Sequence, residues 1–357
     1  MSQRTLCIVG CGGFIGSHLL DSLISAGGYR IIGIDSADAK IKRHLGDPAL
    51  SFVKIDVRGA EQVRRYIEES DMVIMLAALC MPSLYNTVPL RVIENDFSLP
   101  FGIAELCADL GKRLIHFSTC EVYGRTVESY SKSPQECGPS PFHEDTTPLL
   151  LGPVGAQRWS YACAKQLLER AIVALYFEKG LDYTIIRPFN FIGPRMDFIP
   201  GIDGEGLPRV VACFMEALFS GKPLKLVDGG KNRRSFTFID DAIDAIDAII
   251  SKPEKSKGQI FNIGNPANEI TIEELAVRMK RLFETMTGHT RPIEIVSVPS
   301  REFYGEGYED CDRRIPDIAK ARLLLGWEPK VSLDESLLRT MKGFIEKYGA
   351  RFGMPMS

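Results

Sequence analysis

Short apolar runs alternate with amphipathic stretches along the first half of the chain. Strands are expected at Thr5 to Gly10, Tyr29 to Asp35, Ser51 to Asp56, Met72 to Leu76 and Lys112 to Ser118, with helices from Phe14 and near Ala60 to Glu69. Apolar strands of this kind are buried on both faces, and their alternation with helices predicts an α/β fold with a doubly wound parallel sheet. A long helix is read from about Arg158 to Lys179, ended by Gly180, and the strand that follows, Tyr183 to Arg187, stops at Pro188.

Beyond Phe189 the pattern changes, because Pro and Gly crowd residues 188 to 208 and the later elements read as shorter and less regular. The expected division is a sheet domain over residues 1–188 and a smaller C-terminal α/β substrate lobe over 189–357. A helix at Phe238 to Ile250 and a strand at Gly258 to Ile263 return to the sheet near 238–265. The Ser-, Pro- and Gly-rich stretch from about Ser129 to Pro153 reads as a flexible insertion.

Composition narrows the function classes. The 357 residues are 45% hydrophobic and 25% charged, as in a globular protein, and no apolar run approaches the roughly 20 residues that span a bilayer. Met1 to Arg4 lead straight into an apolar strand with no signal-peptide cleavage region, so a cytoplasmic location is expected. A net charge of -3 with no basic run predicts no nucleic-acid partner and no membrane surface. A small anionic ligand needs only a few local cations. The nine cysteines are odd in number, scattered and without a CxxC pair, which predicts reduced thiols, no disulfide framework and no metal site.

The segment Gly10-Cys11-Gly12-Gly13-Phe14-Ile15-Gly16 follows the first strand and opens the first helix. Glycines there permit a tight turn and close approach of a pyrophosphate to helix N–H groups. Asp35, at the end of the second strand, supplies a carboxylate for a ribose diol and repels a 2′-phosphate, which favours NAD as cofactor; Lys40 and Arg43 nearby leave the phosphorylated form open. Asp56 and Val57 are candidates for the adenine edge, and Leu76, Ala77 and Ala78 for the small-residue floor beneath the cofactor.

Tyr161 and Lys165 stand at i and i+4, on one face of the predicted helix. Free tyrosine titrates near ~10, and a neighbouring ammonium is the physical means of making it a base. Cys163, between them, is expected to pack against the sheet. Ser118-Thr119 ends a sheet strand and completes the set.

The glycine turn, Ser118-Thr119, Tyr161/Lys165 and Arg187-Pro188-Phe189-Asn190 together resemble the extended short-chain dehydrogenase/reductase family of nucleotide-sugar epimerases, dehydratases and decarboxylases, over nearly the whole chain. The resemblance implies a Rossmann-type NAD-binding domain, a UDP-sugar substrate and a homodimer. Longer stretches resemble the UDP-glucuronate decarboxylating branch and its apiose-forming members. They are Ser118 to Gly124, Arg158-Trp159-Ser160-Tyr161, Arg187 through Asp197 to Gly204, Glu302 to Tyr308, and Arg313-Arg314-Ile315-Pro316-Asp317.

That resemblance implies the following roles. Thr119 bridges the substrate 4-hydroxyl, Tyr161 removes its proton, and NAD takes the C4 hydride and later returns it. Oxidation at C4 makes the uronate a β-keto acid that loses carbon dioxide, with Glu121 and Arg314 beside the reacting carbons. Cys80 and Cys120 match cysteines that the apiose-forming enzymes place around the sugar, where ring contraction needs extra proton transfers. Packing beneath the sugar is their alternative reading. Arg158 is read as holding the sugar carboxylate or Glu121. Lys225 and Arg234, in a strand-like Gly-rich stretch, are read as contacts for phosphates or uracil, with Asn190 and Arg209 as further substrate contacts. The expected activity is conversion of UDP-glucuronate to UDP-apiose and UDP-xylose. The alternatives are a decarboxylase that forms only UDP-xylose or its 4-keto precursor, and an NAD-sensing scaffold, against which the intact Thr119, Tyr161 and Lys165 argue.

Overall fold

The computed structural model describes residues 3–125, 141–288, 292–304 and 309–353. Cys137, residues 305–308 with Tyr308, and most of the expected insertion at 129–153 therefore lie outside the described residues.

Six strands arise up to Pro188: β1 (Arg4–Val9), β2 (Tyr29–Asp35), β3 (Leu50–Lys54), β4 (Met72–Met75), β5 (Arg113–Phe117) and β6 (Tyr183–Pro188). The helices that matter here are α1 (Phe14–Ala26), α2 (Leu99–Asp109) and α3 (Ser160–Lys179). The chain continues through β7 (Phe191–Ile192), α4 (Val210–Ser220), β8 (Leu224–Val227), β9 (Arg233–Ser235), β10 (Thr237–Phe238), α5 (Ile239–Ser251) and β11 (Gln259–Ile263). It ends with β12 (Glu269–Thr271), α6 (Ile272–Thr287), β13 (Ile295–Val298), β14 (Arg313–Arg314) and α7 (Leu333–Tyr348).

The main sheet has the order β11-β6-β5-β4-β1-β2-β3, with all pairs parallel. Its order reverses between β1 and β4, the place where open α/β sheets form a ligand crevice at their strand C-termini. Strand residues alternate between two cores. Leu6 and Ile8 join a cluster with α1 and α5, whereas Cys7 and Val9 join one with α2 and α3. Burial on both faces explains why the strands read as unbroken apolar runs. The helix α3 begins at Ser160 after a 3-10 turn, Gln157–Trp159, and stops at Gly180, whose φ of 72° suits a residue without a Cβ.

A third apolar cluster holds Val211 and Phe214 of α4, Leu275, Met279 and Phe283 of α6, and Leu337, Met341 and Phe344 of α7. The expectation of short, irregular late elements is corrected here, since α6 and α7 each run for 16 residues. Their apolar positions recur at helical spacing, but the charged residues between them mask the stripe. Both helices start at side-chain caps, Thr271 for α6 and Ser332 for α7, each accepting from a backbone N–H three residues on. No helix among the described residues is long and apolar enough to cross a membrane.

Candidate active site

A cleft of about 710 Å³ opens between the strand C-termini of the main sheet and the segment carrying α4, β8 and β9. At its sheet end lies the glycine turn. Gly10 has a φ of +94°, and a Cβ on it would stand 2.6 Å from the Ala77 nitrogen; a Cβ on Gly12 would stand 2.0 Å from the Ala37 carbonyl oxygen. The turn therefore fits only glycine. Asp35 accepts from Gly12 N–H at 2.8 Å and from Ala37 N–H at 2.9 Å, so its carboxylate braces the turn that it faces. Gly13 caps α1 without a side-chain bond, Gly16 is buried beneath the turn, and no acid occupies the first helical turn. An uncapped, acid-free helix N-terminus with Phe14 and Ile15 in the cleft wall suits a pyrophosphate.

Leu76 and Ala77 both donate backbone N–H groups to the Val9 oxygen, which sets the floor between β1 and β4; Leu76 and Ala78 line the cleft. The exposed Asp56 carboxylate is held by the Arg58 guanidinium at 2.6 Å. Val57 packs at the edge of the α2/α3 cluster.

Tyr161 is the hub of the middle of the cleft. Its Oη lies 3.2 Å from Cys80 Sγ, and its ring stacks on Tyr85 at 4.9 Å with 5° between planes. The Lys165 ammonium lies 5.9 Å from the Tyr161 ring centre, donates to the Phe117 oxygen at 3.2 Å, and pairs with buried Asp96 at 3.5 Å. Burial pushes the Tyr161 phenol well above its ordinary value, and Cys80, Tyr85 and Asp96 add to that. Cys80 opens into the cleft, and protein around it, with Asp96, raises its thiol. Burial pushes the Cys120 thiol up to about 11 against the pull of Arg314, so in the free protein it is a proton donor rather than a thiolate. Thr119 Oγ1 accepts from Glu121 N–H at 3.2 Å, which leaves its hydroxyl proton to donate.

The far wall is an ionic cage. Register sets it: β14 pairs in parallel with β9, which places Arg313 beside Arg233 and Arg314 beside Arg234. Side chains alternate along a strand, so Arg233 and Arg313 both pair with Glu269, while Arg234 and Arg314 both reach Asp310. Arg314 Nη2 donates to Asp310 at 2.7 Å and Nη1 to Glu121 at 3.4 Å; Arg158 Nη1 donates to Glu121 at 2.8 Å. Among the described residues, three guanidinium groups thus surround two carboxylates. Burial alone would raise both acids, but Arg158 and Arg314 hold Glu121 below its ordinary value, and Arg234, Arg314 and Arg158 hold Asp310 far below. The Arg314 Nε is buried without a hydrogen-bond partner among the described residues.

Arg234 pairs with Asp310 in the cage and lines the cleft. Lys225 is exposed on β8 and lines the cleft. Asn190, in the left-handed region with a φ of 42°, donates Nδ2 to the Ser235 oxygen. Arg209 is tied to Asp197 at 2.9 Å and lies over the Phe14 ring at 5.7 Å. Cys163 is corrected: it is exposed on α3, because the 100° step per residue turns it away from the face that buries Ala162 and Lys165.

Asp310, Asp96 and Tyr85 were not singled out from the sequence. Asp310 had a local signal, an acid beside Arg313-Arg314. Asp96 and Tyr85 had none, because only packing brings them to Tyr161.

Residues 6–264 match the NAD dependent epimerase/dehydratase family. The chain is 46% identical over 356 residues to the UDP-D-apiose/UDP-D-xylose synthase of Oryza sativa subsp. japonica, covering 96% of this chain and 89% of that protein. It is 46% identical over 356 residues to the UDP-D-apiose/UDP-D-xylose synthase 2 of Arabidopsis thaliana, covering 96% and 91% respectively. Among solved structures it resembles the PbgP3 protein from Burkholderia pseudomallei, with a TM-score of 0.81, 30% identity, and coverage of 99% of this chain and 98% of that one.

Proposed function

The chain belongs to the NAD dependent epimerase/dehydratase family, and from that premise we propose that it converts UDP-glucuronate to UDP-apiose and UDP-xylose. The carrying observation is the cage of Arg158, Arg234 and Arg314 around Glu121 and Asp310, facing the same cleft as Tyr161 Oη and Cys80 Sγ. Guanidinium groups gathered there suit a sugar carboxylate.

NAD, seated on the glycine turn and Asp35, supplies the oxidant for C4 and the hydride that is later returned. Thr119 donates to the 4-hydroxyl, and Tyr161 takes its proton, with Lys165 behind it to stabilise the tyrosinate. Arg158 and Arg314 hold the C6 carboxylate. Once C4 is a ketone, the C5–C6 bond breaks, its electron pair enters the carbonyl as an enolate, and carbon dioxide leaves, which makes the first irreversible event a lyase step. Arg314 steadies the enolate. Protonation at C5 and hydride return give UDP-xylose. Retro-aldol opening between C2 and C3, re-closure to a smaller ring and reduction of the exposed aldehyde give UDP-apiose. Cys120 serves these proton transfers as an acid, and Cys80 exchanges protons with Tyr161. Lys225, Arg209 and Asn190 contact the uridine diphosphate.

A homodimer fits the exposed Leu90, Ile93, Leu167 and Phe177 on adjoining helices of the sheet domain. The described cysteines are all free, in keeping with a cytoplasmic enzyme.

Incubation of the purified protein with UDP-glucuronate and NAD, followed by product NMR, tests the reading. A mixture of branched and straight UDP-pentoses is expected. Straight pentose alone reduces the activity to a decarboxylase, and absence of carbon dioxide release refutes both.

A further inference from the structure

Asp96 has no part in the chemistry above, yet it is wholly buried one contact away from it. It lies on a π-helical turn, Glu94–Ser98, that leads into α2. Pro100 explains the turn: it has no N–H for the Asp96 carbonyl four residues earlier, and the ladder widens at that point. Such π turns concentrate at functional sites. The widened turn aims the carboxylate inward, where Leu79 N–H donates to it at 3.2 and 3.3 Å and the Lys165 ammonium lies at 3.5 Å.

We propose, on the functional reading given above, that Asp96 is a positioning residue that sets Cys80 against Tyr161, because one carboxylate holds the Leu79–Cys80 backbone and the Lys165 head together. Leu79 is the residue next to Cys80, so this anchor fixes where the thiol emerges into the cleft. Lys165 is one helical turn from Tyr161, so the same anchor fixes the phenol's helix. The 3.2 Å contact between Cys80 Sγ and Tyr161 Oη follows from both.

The charge has a second consequence. Cys80 is faced by Tyr161 and Lys165 from α3, by Arg209 from the segment before α4, and by Asp96 from the π turn. Tyr161 is faced by Cys80, by Tyr85 from the short helix Pro82–Tyr85, and by Asp96. Asp96 therefore raises the thiol and the phenol together, opposing Lys165 at the thiol, and a proton shared by the pair stays on the pair. Burial raises the Asp96 carboxyl itself, offset by Lys165 and the Leu79 N–H.

The test uses the full chain as isolated. Iodoacetamide alkylation of Cys80, followed by peptide mass spectrometry from pH 6 to 10, reads the thiol without any turnover. Asp96→Asn keeps an acceptor for Leu79 N–H and removes the charge, so the alkylation midpoint should fall by about one pH unit, or about tenfold in rate at fixed pH. Asp96→Ala also frees the backbone, so the branched share of product should fall at least about fivefold while carbon dioxide release changes less. Asp96→Ser replaces it if Asp96→Ala does not fold. An unchanged midpoint in Asp96→Asn, or an unchanged branched share in the truncated variant, overturns the proposal. Wild-type protein that releases no carbon dioxide ends the functional reading instead, and leaves the alkylation result to decide on Asp96.

Discussion

Two buried ionic groups stand near the C-terminal end of β5, and they are built differently. Arg187 and Glu169 form a closed pair. Arg187 Nε and Nη2 donate to Glu169 at 3.0 and 2.6 Å, Nη1 donates to Tyr123 Oη at 2.8 Å, and Ser118 Oγ donates to the same carboxylate. Charges cancel and every Arg187 nitrogen has a partner. The cage of Arg158, Arg234, Arg314, Glu121 and Asp310 instead faces a cleft and, among the described residues, leaves Arg314 Nε without a partner. A buried ion pair is by itself weak evidence of anything but packing history. What separates a structural pair from a site is closure: the first group needs nothing further, and the second lines a cleft that an anion can enter.

Removing one partner should hurt the closed pair most. Glu169→Ala leaves a guanidinium uncompensated in the core and should cost about 3–5 kcal/mol in urea unfolding. The double replacement Glu169→Leu with Arg187→Met should recover most of that loss. Failure to recover would mean that the pair is doing more than packing. The open cage should respond in the opposite currency: Arg314→Met should slow carbon dioxide release about 10²–10³-fold, with a smaller shift in the unfolding midpoint than Glu169→Ala. A large loss of stability with turnover intact would erase the distinction between the two groups.

The smallest effect is on the pH slope of stability. Glu121 and Asp310 are depressed in the folded state, so their stabilisation is present above the ordinary carboxylate value and is lost only as pH falls through their lower folded values. Their share of any decline between pH 6.5 and 4 is confined to its acid end, near the ordinary carboxylate value. His18, whose Nε2 meets the Pro194 oxygen at 2.8 Å, is lowered by burial from 6.5 to about 4. The unfolded imidazole binds a proton in that window and the folded one does not, so stability declines as pH falls. His18→Gln should flatten the slope in denaturation series from pH 7 to 4. An unchanged slope would rule out His18 as the source of the decline.

Much of this was legible in one dimension. Burial on both faces forces continuous apolar strands, so β1 to β6, β11 and α5 could be placed within a residue or two. The glycine turn is legible because steric exclusion acts on the residue itself: a Cβ at Gly10 or Gly12 has nowhere to go. Tyr161 and Lys165 are legible because the helix repeat puts i and i+4 on one side. The same repeat misled for Cys163, whose facing depends on where α3 lies on the sheet. It was also hidden in α6 and α7 by the charges on their outer faces.

The sequence alone thus determined the parallel sheet, the dinucleotide turn and the Tyr/Lys pair, since each rests on constraints between residues a few positions apart. The tertiary structure alone decided which charges meet. Arg314 reaches Glu121 across 193 positions, and Asp96 reaches Lys165 across the α2/α3 packing. Coulomb and hydrogen-bond energies depend on distance and on burial in space, and neither quantity is written in the order of the residues.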